Sequence, residues 1–250
     1  MKASILTDNK QQLIDLSKPL DISIPLSASA KNPKAWLQGR PKIEPVVMDE
    51  WIGKVSEGAA INFNDIHFNP HAHGTHTECV GHITEDFRSV NASLKQYFFL
   101  AEVITVAPEY KKGDMVISGT QLKTILKKRS PEALVIRTLP NTASKKRQNH
   151  SNTNWPYLEK SAARFIREIG VNHLLIDQPS VDKEQDKGKL LAHREFWNYP
   201  ESPRDDATIT EMIYVSNRIK DGLYLLNLQM APFVNDAAPS RPVLYKLTDE

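Results

Sequence analysis

His67 to Ile83 read HFNPHAHGTHTECVGHI, and five of the chain's eight histidines, His67, His71, His73, His76 and His82, lie inside this one stretch. His76 and Glu78 are two residues apart, so an extended chain projects both to one side, and Gly74 permits a tight backbone just before them. Imidazole and carboxylate then converge. Neutral imidazole and ionised carboxylate are the ligands that zinc, manganese and similar divalent ions accept, and several of them close together have few other structural uses. Any one of these histidines taken singly would more simply cap backbone groups in a polar loop; the group points to a metal. Cys79 is the chain's one cysteine, so no thiolate set is available for a closed tetrahedral site and an open, catalytic type of site is expected.

Outward from this stretch the pattern is that of an α/β protein. On the N-terminal side, Leu13 to Leu26 read as two short strands with a tight corner. Residues 27–45 carry three prolines and read as an exposed loop that borders a site, with Trp36 turned inward. On the C-terminal side, Glu102–Val106 and Ala133–Thr138 are apolar runs of strand length, separated by Ser118–Lys128, which has helical spacing through Leu122, Ile125 and Leu126. From Pro156 a helix is expected, with Leu158, Ala162, Phe165, Ile166 and Ile169 on one face and Gly170 beyond its last turn. His173–Asp177 follow as a strand. The resulting βαβ unit puts Arg137, Thr138 and Asp177 at one sheet edge, where α/β folds take ligands. A short helix around Gly188–Trp197 and a final buried strand at Leu223–Leu228 precede a proline-bearing tail.

Composition sets the bounds. With 250 residues, 40% hydrophobic and 25% charged, the chain is globular, and one domain over residues 1–250 is expected. Lys and Arg number 32 against 30 Asp and Glu, a net charge of +2, which provides no field for nucleic acid or an anionic membrane. KTILKKR, ending at Arg129, reads as cations at a helix C-terminus, and Lys145–Arg147 read as part of a solvated connection; neither is interleaved with aromatics. No apolar run approaches the roughly 18 to 20 residues of a membrane span, and the N-terminal residues lack a secretory pattern. With the lone cysteine, that makes the cytoplasm the expected compartment.

HGTHTECVGH also resembles the H-x-G-T-H-x-D-x-x-x-H signature of the cyclase-like metal hydrolases, the family that includes bacterial kynurenine formamidase and isatin hydrolase. The likeness continues in order along the chain. DLSKPLDISIPL resembles the family's D-L-S-x-P-L opening, and IDQPSVD followed by LLAHREF resembles its D-T-x-S-V-D and A-H-x-x-L segment. TITEMIYV and DGLYLLNLQMAPFVNDAAPSRPVLY resemble its I-I-E-N-L and closing strands. The resemblance implies a single-domain swivelling β/β/α fold, a homodimer or homotetramer, and one or two divalent ions, zinc or manganese. It implies His71, His76, Glu78, His193 and Glu211 as metal ligands and His82 as the non-ligand catalytic histidine. The activity implied is hydrolysis of an amide, formamide or cyclic amide of a small molecule by metal-activated water, with His82 moving protons.

Two departures from the family pattern stand out. The family's first histidine falls on Ala72, between His71 and His73; Pro70-His71 resembles the family's Pro-His pair, so a one-residue insertion makes His71 the expected ligand and His73 the alternative. Glu78 replaces an aspartate, one methylene longer, which shifts a bridging geometry by about an ångström. These departures motivate a second reading, a non-catalytic metal- or ligand-binding relative. His193, with Leu190 and Trp197 nearby, could instead be a packing histidine, and Glu211 a solvent-facing strand residue. Cys79 reads as a small buried hydrophobe or, alternatively, a nucleophile. Ser180 lacks the elbow of a serine hydrolase. Specificity is expected from Trp36, Phe63 and Phe68.

Overall fold

The structure is a computed structural model describing residues 1–7 and 10–249. Eleven strands form one sheet: β1 Lys2–Thr7, β2 Lys10–Asp15, β3 Leu20–Asp21, β4 His76–Cys79, β5 Phe98–Val106, β6 Ala133–Thr138, β7 His173–Ile176, β8 Thr208–Glu211, β9 Gly222–Asn227, β10 Ala237–Pro239 and β11 Val243–Asp249. Their order across the sheet is β1-β2-β11-β9-β5-β6-β7-β8-β4-β10, with β3 paired to β11. The central strands β5, β6, β7 and β8 are parallel, and the strands outside them pair antiparallel. Among the described residues four α-helices accompany this sheet: α1 Val90–Ser93, α2 Gly119–Leu126, α3 Lys160–Glu168 and α4 Leu191–Trp197. No helix among the described residues is long and apolar enough to cross a membrane.

The parallel centre is buried on both faces, which is why it reads as unbroken apolar runs. Leu134, Ile136, Leu174 and Ile176 face a core shared with Leu122, Leu126, Phe165, Ile166, Phe196 and Trp197 of the helices. The alternate residues Ala133, Val135 and Leu175 face a second core with Ile22, Ile213, Tyr224, Leu226 and Leu244. Helix α2 starts where its capping chemistry starts: the Ser118 hydroxyl accepts from Gln121 N–H while the Gln121 side chain accepts from Ser118 N–H.

Several expectations are corrected. Leu158 is not on a helical face; with Tyr157 it forms a short strand parallel to Asp114–Ile117, and the helix begins at Lys160. Leu223–Leu228 is not the last strand, since the tail supplies β10 and β11. Residues 27–45 end in strand structure, because Lys42–Pro45 pair with Asn64–His67 in a two-stranded arm. Lys145 is not solvated: its ammonium is buried, donating to the Thr138 carbonyl and hydroxyl and to Asp177 at 2.7 Å. Gln178 also donates to Thr138 and Asp177, and Arg137 is spent on Thr105, Asp221 and the carbonyls of Ser216 and Ile219. The sheet edge expected to take a ligand is therefore filled from within. The histidine stretch lies beyond it, on β4 beside β8.

Candidate metal centre

Two strands bring the first three groups together. In the antiparallel pairing of β8 with β4, Glu211 lies opposite His76 and Ile209 opposite Glu78, so His76, Glu78 and Glu211 project from one face. All of β4 is buried. Its alternate residue Thr77 points the other way, to Thr210 at 2.8 Å. The turn after β4 carries His82, and glycine is required there: a Cβ at Gly81 would lie 2.1 Å from the Arg88 carbonyl oxygen. Gly74, with φ at +156°, gives the chain its bend into the strand. The loop before it carries His71, and helix α4 carries His193.

Each candidate ligand histidine has one ring nitrogen committed to an acceptor and the other facing a carboxylate. His76 Nδ1 lies 3.0 Å from the Gly74 carbonyl, His193 Nδ1 lies 2.6 Å from Asp182, and His71 Nε2 lies 2.9 Å from Asp236. Carbonyls and carboxylates only accept, so those nitrogens carry the protons and donate. The remaining lone pairs then face oxygens: His71 Nδ1 is 3.0 Å from Glu78 Oε2, His193 Nε2 is 3.1 Å from Glu78 Oε1, and His76 Nε2 is 3.4 Å from Glu211 Oε2. Acceptors facing acceptors at such distances need a proton or a cation between them. The buried His76 Nε2 and Glu78 Oε2 make no hydrogen bond among the described residues, and the donor set is the one divalent ions take. His71, His76 and Glu78 present ligand atoms within 4.8 Å of one another, as do Glu78, His82 and His193. A divalent ion fits.

The titration behaviour follows from the same geometry. Burial drives a histidine down: His150 and His173, buried away from this cluster and each near a cation, Lys145 and Arg204 respectively, are lowered to about 4. Burial acts the same way on His71, but its hydrogen bond to Asp236 and the Glu78 carboxylate 3.0 Å from its Nδ1 prevail and raise it to about 10. His193, opposed by burial but held by Asp182 and Glu78, is likewise raised well above the usual range. Burial pushes the Glu78 carboxyl up, but the charge of His82, the hydrogen bond and charge of His193 and the close approach of His71 hold it well below the ordinary carboxylate value.

The structure thus brings together all six residues singled out in the sequence. Its own addition is Asp182 and Asp236. Asp182 closes the IDQPSVD block, and its carboxylate accepts from the backbone of Ala192 and His193 as well as from the His193 ring, fixing helix and side chain together. His193 is buried with its ring centroid 5.4 Å from that of Trp197. Glu211 is also buried, accepting from Val181 N–H at 2.8 Å. His73 is occupied elsewhere: its Nδ1 accepts from Asn69 N–H and its Nε2 donates to the Gly39 carbonyl. His67 is exposed in the arm. Cys79 is buried beside the Arg88 carbonyl, and burial pushes its thiol up. Of the expected specificity residues, Phe68 pairs with Phe233 close in sequence to His71 and Asp236, Phe63 packs on Trp51 in the arm, and Trp36 on Trp155.

On this α/β fold the buried imidazoles and carboxylates form a donor set of the kind divalent ions take. The chain belongs to the Cyclase family, whose sequence model, described as "Putative cyclase", matches residues 14–183. It is 26% identical over 235 residues to the kynurenine formamidase of Bacillus mycoides, covering 93% of this chain and 97% of that one. Isatin hydrolase A from Labrenzia aggregata has the same fold, with a TM-score of 0.68 at 14% identity over 93% of this chain and 94% of that one. So does a "predicted metal-dependent hydrolase" from Bacillus stearothermophilus, with a TM-score of 0.64 at 15% identity over 91% and 98% of the two chains.

Two outcomes are expected from the geometry. His71→Ala should weaken metal binding at least about tenfold and His73→Ala less, in a competition titration with a chromophoric chelator; the reverse ranking would make His73 the ligand. Because His71 and His193 hold protons in the metal-free protein, metal binding should release protons, and apparent affinity should rise with pH between 6 and 8. Calorimetry in buffers of different ionisation enthalpy measures this directly. A pH-independent affinity would contradict the protonated pairs.

Proposed function

We propose that His71, His76, Glu78, His193 and Glu211 hold at least one divalent ion, zinc or manganese, and that the protein hydrolyses an amide, formamide or cyclic amide of a small molecule. The observation that carries this reading is the buried set of lone pairs facing carboxylate oxygens around Glu78. A divalent ion held there supplies Lewis-acid chemistry, acidifying a water and polarising a carbonyl. The protein's own part is to orient and to move protons. Asp182, the Gly74 carbonyl and Asp236 fix which nitrogen of each imidazole faces inward.

His82 is the proton carrier. Its Nδ1 is bonded to Asp236, and its side chain keeps 30% exposure where the other ring histidines are more enclosed. From there its ring takes a proton from the attacking water and returns it to the departing nitrogen, a role worth about 10² to 10⁴ in rate. A cavity of about 320 Å³, lined by Ile24, Pro25, Phe68, Pro70, Gly74 and Thr75 among others, borders the loop that carries His71. It supports a small-molecule substrate with an apolar, aromatic body.

His82→Ala should keep its metal and its fold while losing at least about a hundredfold in turnover of an N-formyl aromatic amine or an isatin-like lactam. Cys79→Ser should retain most activity. Elemental analysis and steady-state kinetics on the same preparations decide both. Loss of metal in His82→Ala would make His82 a ligand. If metal-loaded wild type turns over none of a panel of formamides, lactams, imides and esters, the non-catalytic reading replaces the enzyme.

The same reading includes one domain in the cytoplasm, supported by the free, buried Cys79, and a homodimer or homotetramer. Residues 42–67 form an arm that leaves Val47, Met48, Val55, Ile61, Phe63 and Ile66 exposed, a concentration of exposed apolar side chains in one segment that supports an association surface. Light scattering behind gel filtration should give a multiple of the 28.3 kDa chain. The double variant Val47→Lys, Ile66→Lys should shift the mass downward. A wild-type monomer at micromolar concentration would refute the assembly.

A further inference from the structure

One oxygen of Asp236 receives two imidazoles: Oδ2 lies 2.9 Å from His71 Nε2 and 3.1 Å from His82 Nδ1. The two rings lie nearly stacked, centroids 4.3 Å apart and 31° between planes. The aspartate is itself held firmly. Its carbonyl accepts from Cys79 N–H at 3.0 Å, the preceding carbonyl of Asn235 accepts from Val90 N–H, and the following residue, Ala237, is paired with Glu78 across β10 and β4. The backbone that carries Asp236 is thus fastened to the strand that carries Glu78, and through it to the turn that carries His82.

We propose that Asp236 is the positioning residue of the proton carrier, holding His82 in the tautomer whose Nε2 is free to take and return a proton. The proposal rests on the hydrolase reading above for what the proton does, and on geometry alone for where it sits. A carboxylate only accepts, so His82 Nδ1 keeps its hydrogen and donates it to Asp236. That leaves the lone pair on Nε2, which no hydrogen bond engages among the described residues. When the ring takes a second proton at Nε2, the imidazolium gains a neighbouring negative charge that stabilises it. The arrangement is the carboxylate–imidazole pair of general acid–base catalysis, supplied from the last strands of the sheet. Because the same oxygen also holds His71 Nε2, Asp236 sets the spacing between the candidate ligand and the carrier.

The test is Asp236→Asn, isosteric but uncharged, with Asp236→Ala as a second variant, each compared with wild type and with His82→Ala. Affinity for zinc or manganese is expected to fall through His71, so kinetics are read at saturating metal. There, kcat should remain at least about tenfold below wild type with KM within about twofold, and Asp236→Asn combined with His82→Ala should lose nothing beyond His82→Ala alone. Independently of any activity, long-range ¹H–¹⁵N spectra of the zinc-loaded protein should show His82 protonated at Nδ1 in wild type and a mixture of tautomers in Asp236→Asn. Full recovery of kcat at saturating metal would confine Asp236 to His71, and multiplicative losses in the double variant would separate it from His82; either overturns the proposal. Should wild type prove inactive on every substrate, the spectra still decide: an unchanged His82 tautomer in Asp236→Asn refutes the positioning role.

Discussion

A carboxylate buried with an imidazole on each of its oxygens is the constraint on which this site depends. Glu78 is fully buried, with His193 at one oxygen and His71 at the other. A charge removed from water in this way is strongly unfavourable unless it is compensated. The neighbouring rings are turned with their lone pairs inward, so they compensate it only by holding protons or by sharing a cation. That choice explains why His71 is raised to about 10 while His150, buried with no carboxylate in hydrogen-bond contact among the described residues, is lowered to about 4. Protons and metal thus compete for the same positions, and the centre is linked to pH by construction.

The sheet provides the precision that such packing needs. Cross-strand neighbours in β8 and β4 fix Glu211 against His76, and the two-residue period of a strand puts Glu78 on the same face. His193 comes from a helix, and helices are less exactly placed than paired strands. Asp182 removes that freedom, accepting from two backbone N–H groups at the start of α4 and from the ring of His193 with the same carboxylate. Moving the helix would break the ring's hydrogen bond, and turning the ring would leave Asp182 without one of its three donors.

How much of this was legible in the sequence follows from what each signal depends on. The parallel strands were legible because both of their faces are buried, so Ala133–Thr138 is apolar at every position but its last two. Leu158 was misread because two residues of strand leading into a helix share its apolar spacing. The tail was misread because Pro239 and Pro242 mask two strands on either side of them. At the site, the density of histidines between 67 and 82 was a local signal. His193 and Glu211 are more than a hundred residues away, single letters without periodicity, and only ordered family blocks picked them out. Asp182 and Asp236 lie within the family-like segments but carry no signal of their own, since an aspartate in a loop looks the same whether it turns the backbone or holds a ring.

The ion pair of Lys145 with Asp177 bears on where the site lies. In open α/β sheets the carboxyl ends of the parallel strands are where ligands bind, and Thr138 and Asp177 stand at those ends of β6 and β7. Here a buried ammonium from the 3-10 helix Ala143–Arg147 closes that crevice, with its three donors taken up by the Thr138 carbonyl, the Thr138 hydroxyl and Asp177. A buried lysine so fully satisfied is a plug rather than a binding group. Chemistry is then left to the neighbouring boundary, where parallel β8 meets antiparallel β4. At that boundary the carboxyl end of one strand meets the amino end of the next, so Glu211 and His76 arrive from opposite directions at the same level. Further groups reach the same place from the loop before β4, the turn after it and β10 on its far side. A run of purely parallel strands would have its chain entries and exits at opposite ends. Reversing one strand is what lets His71 and His82 converge on the buried Glu78, with Asp236 holding both rings from behind.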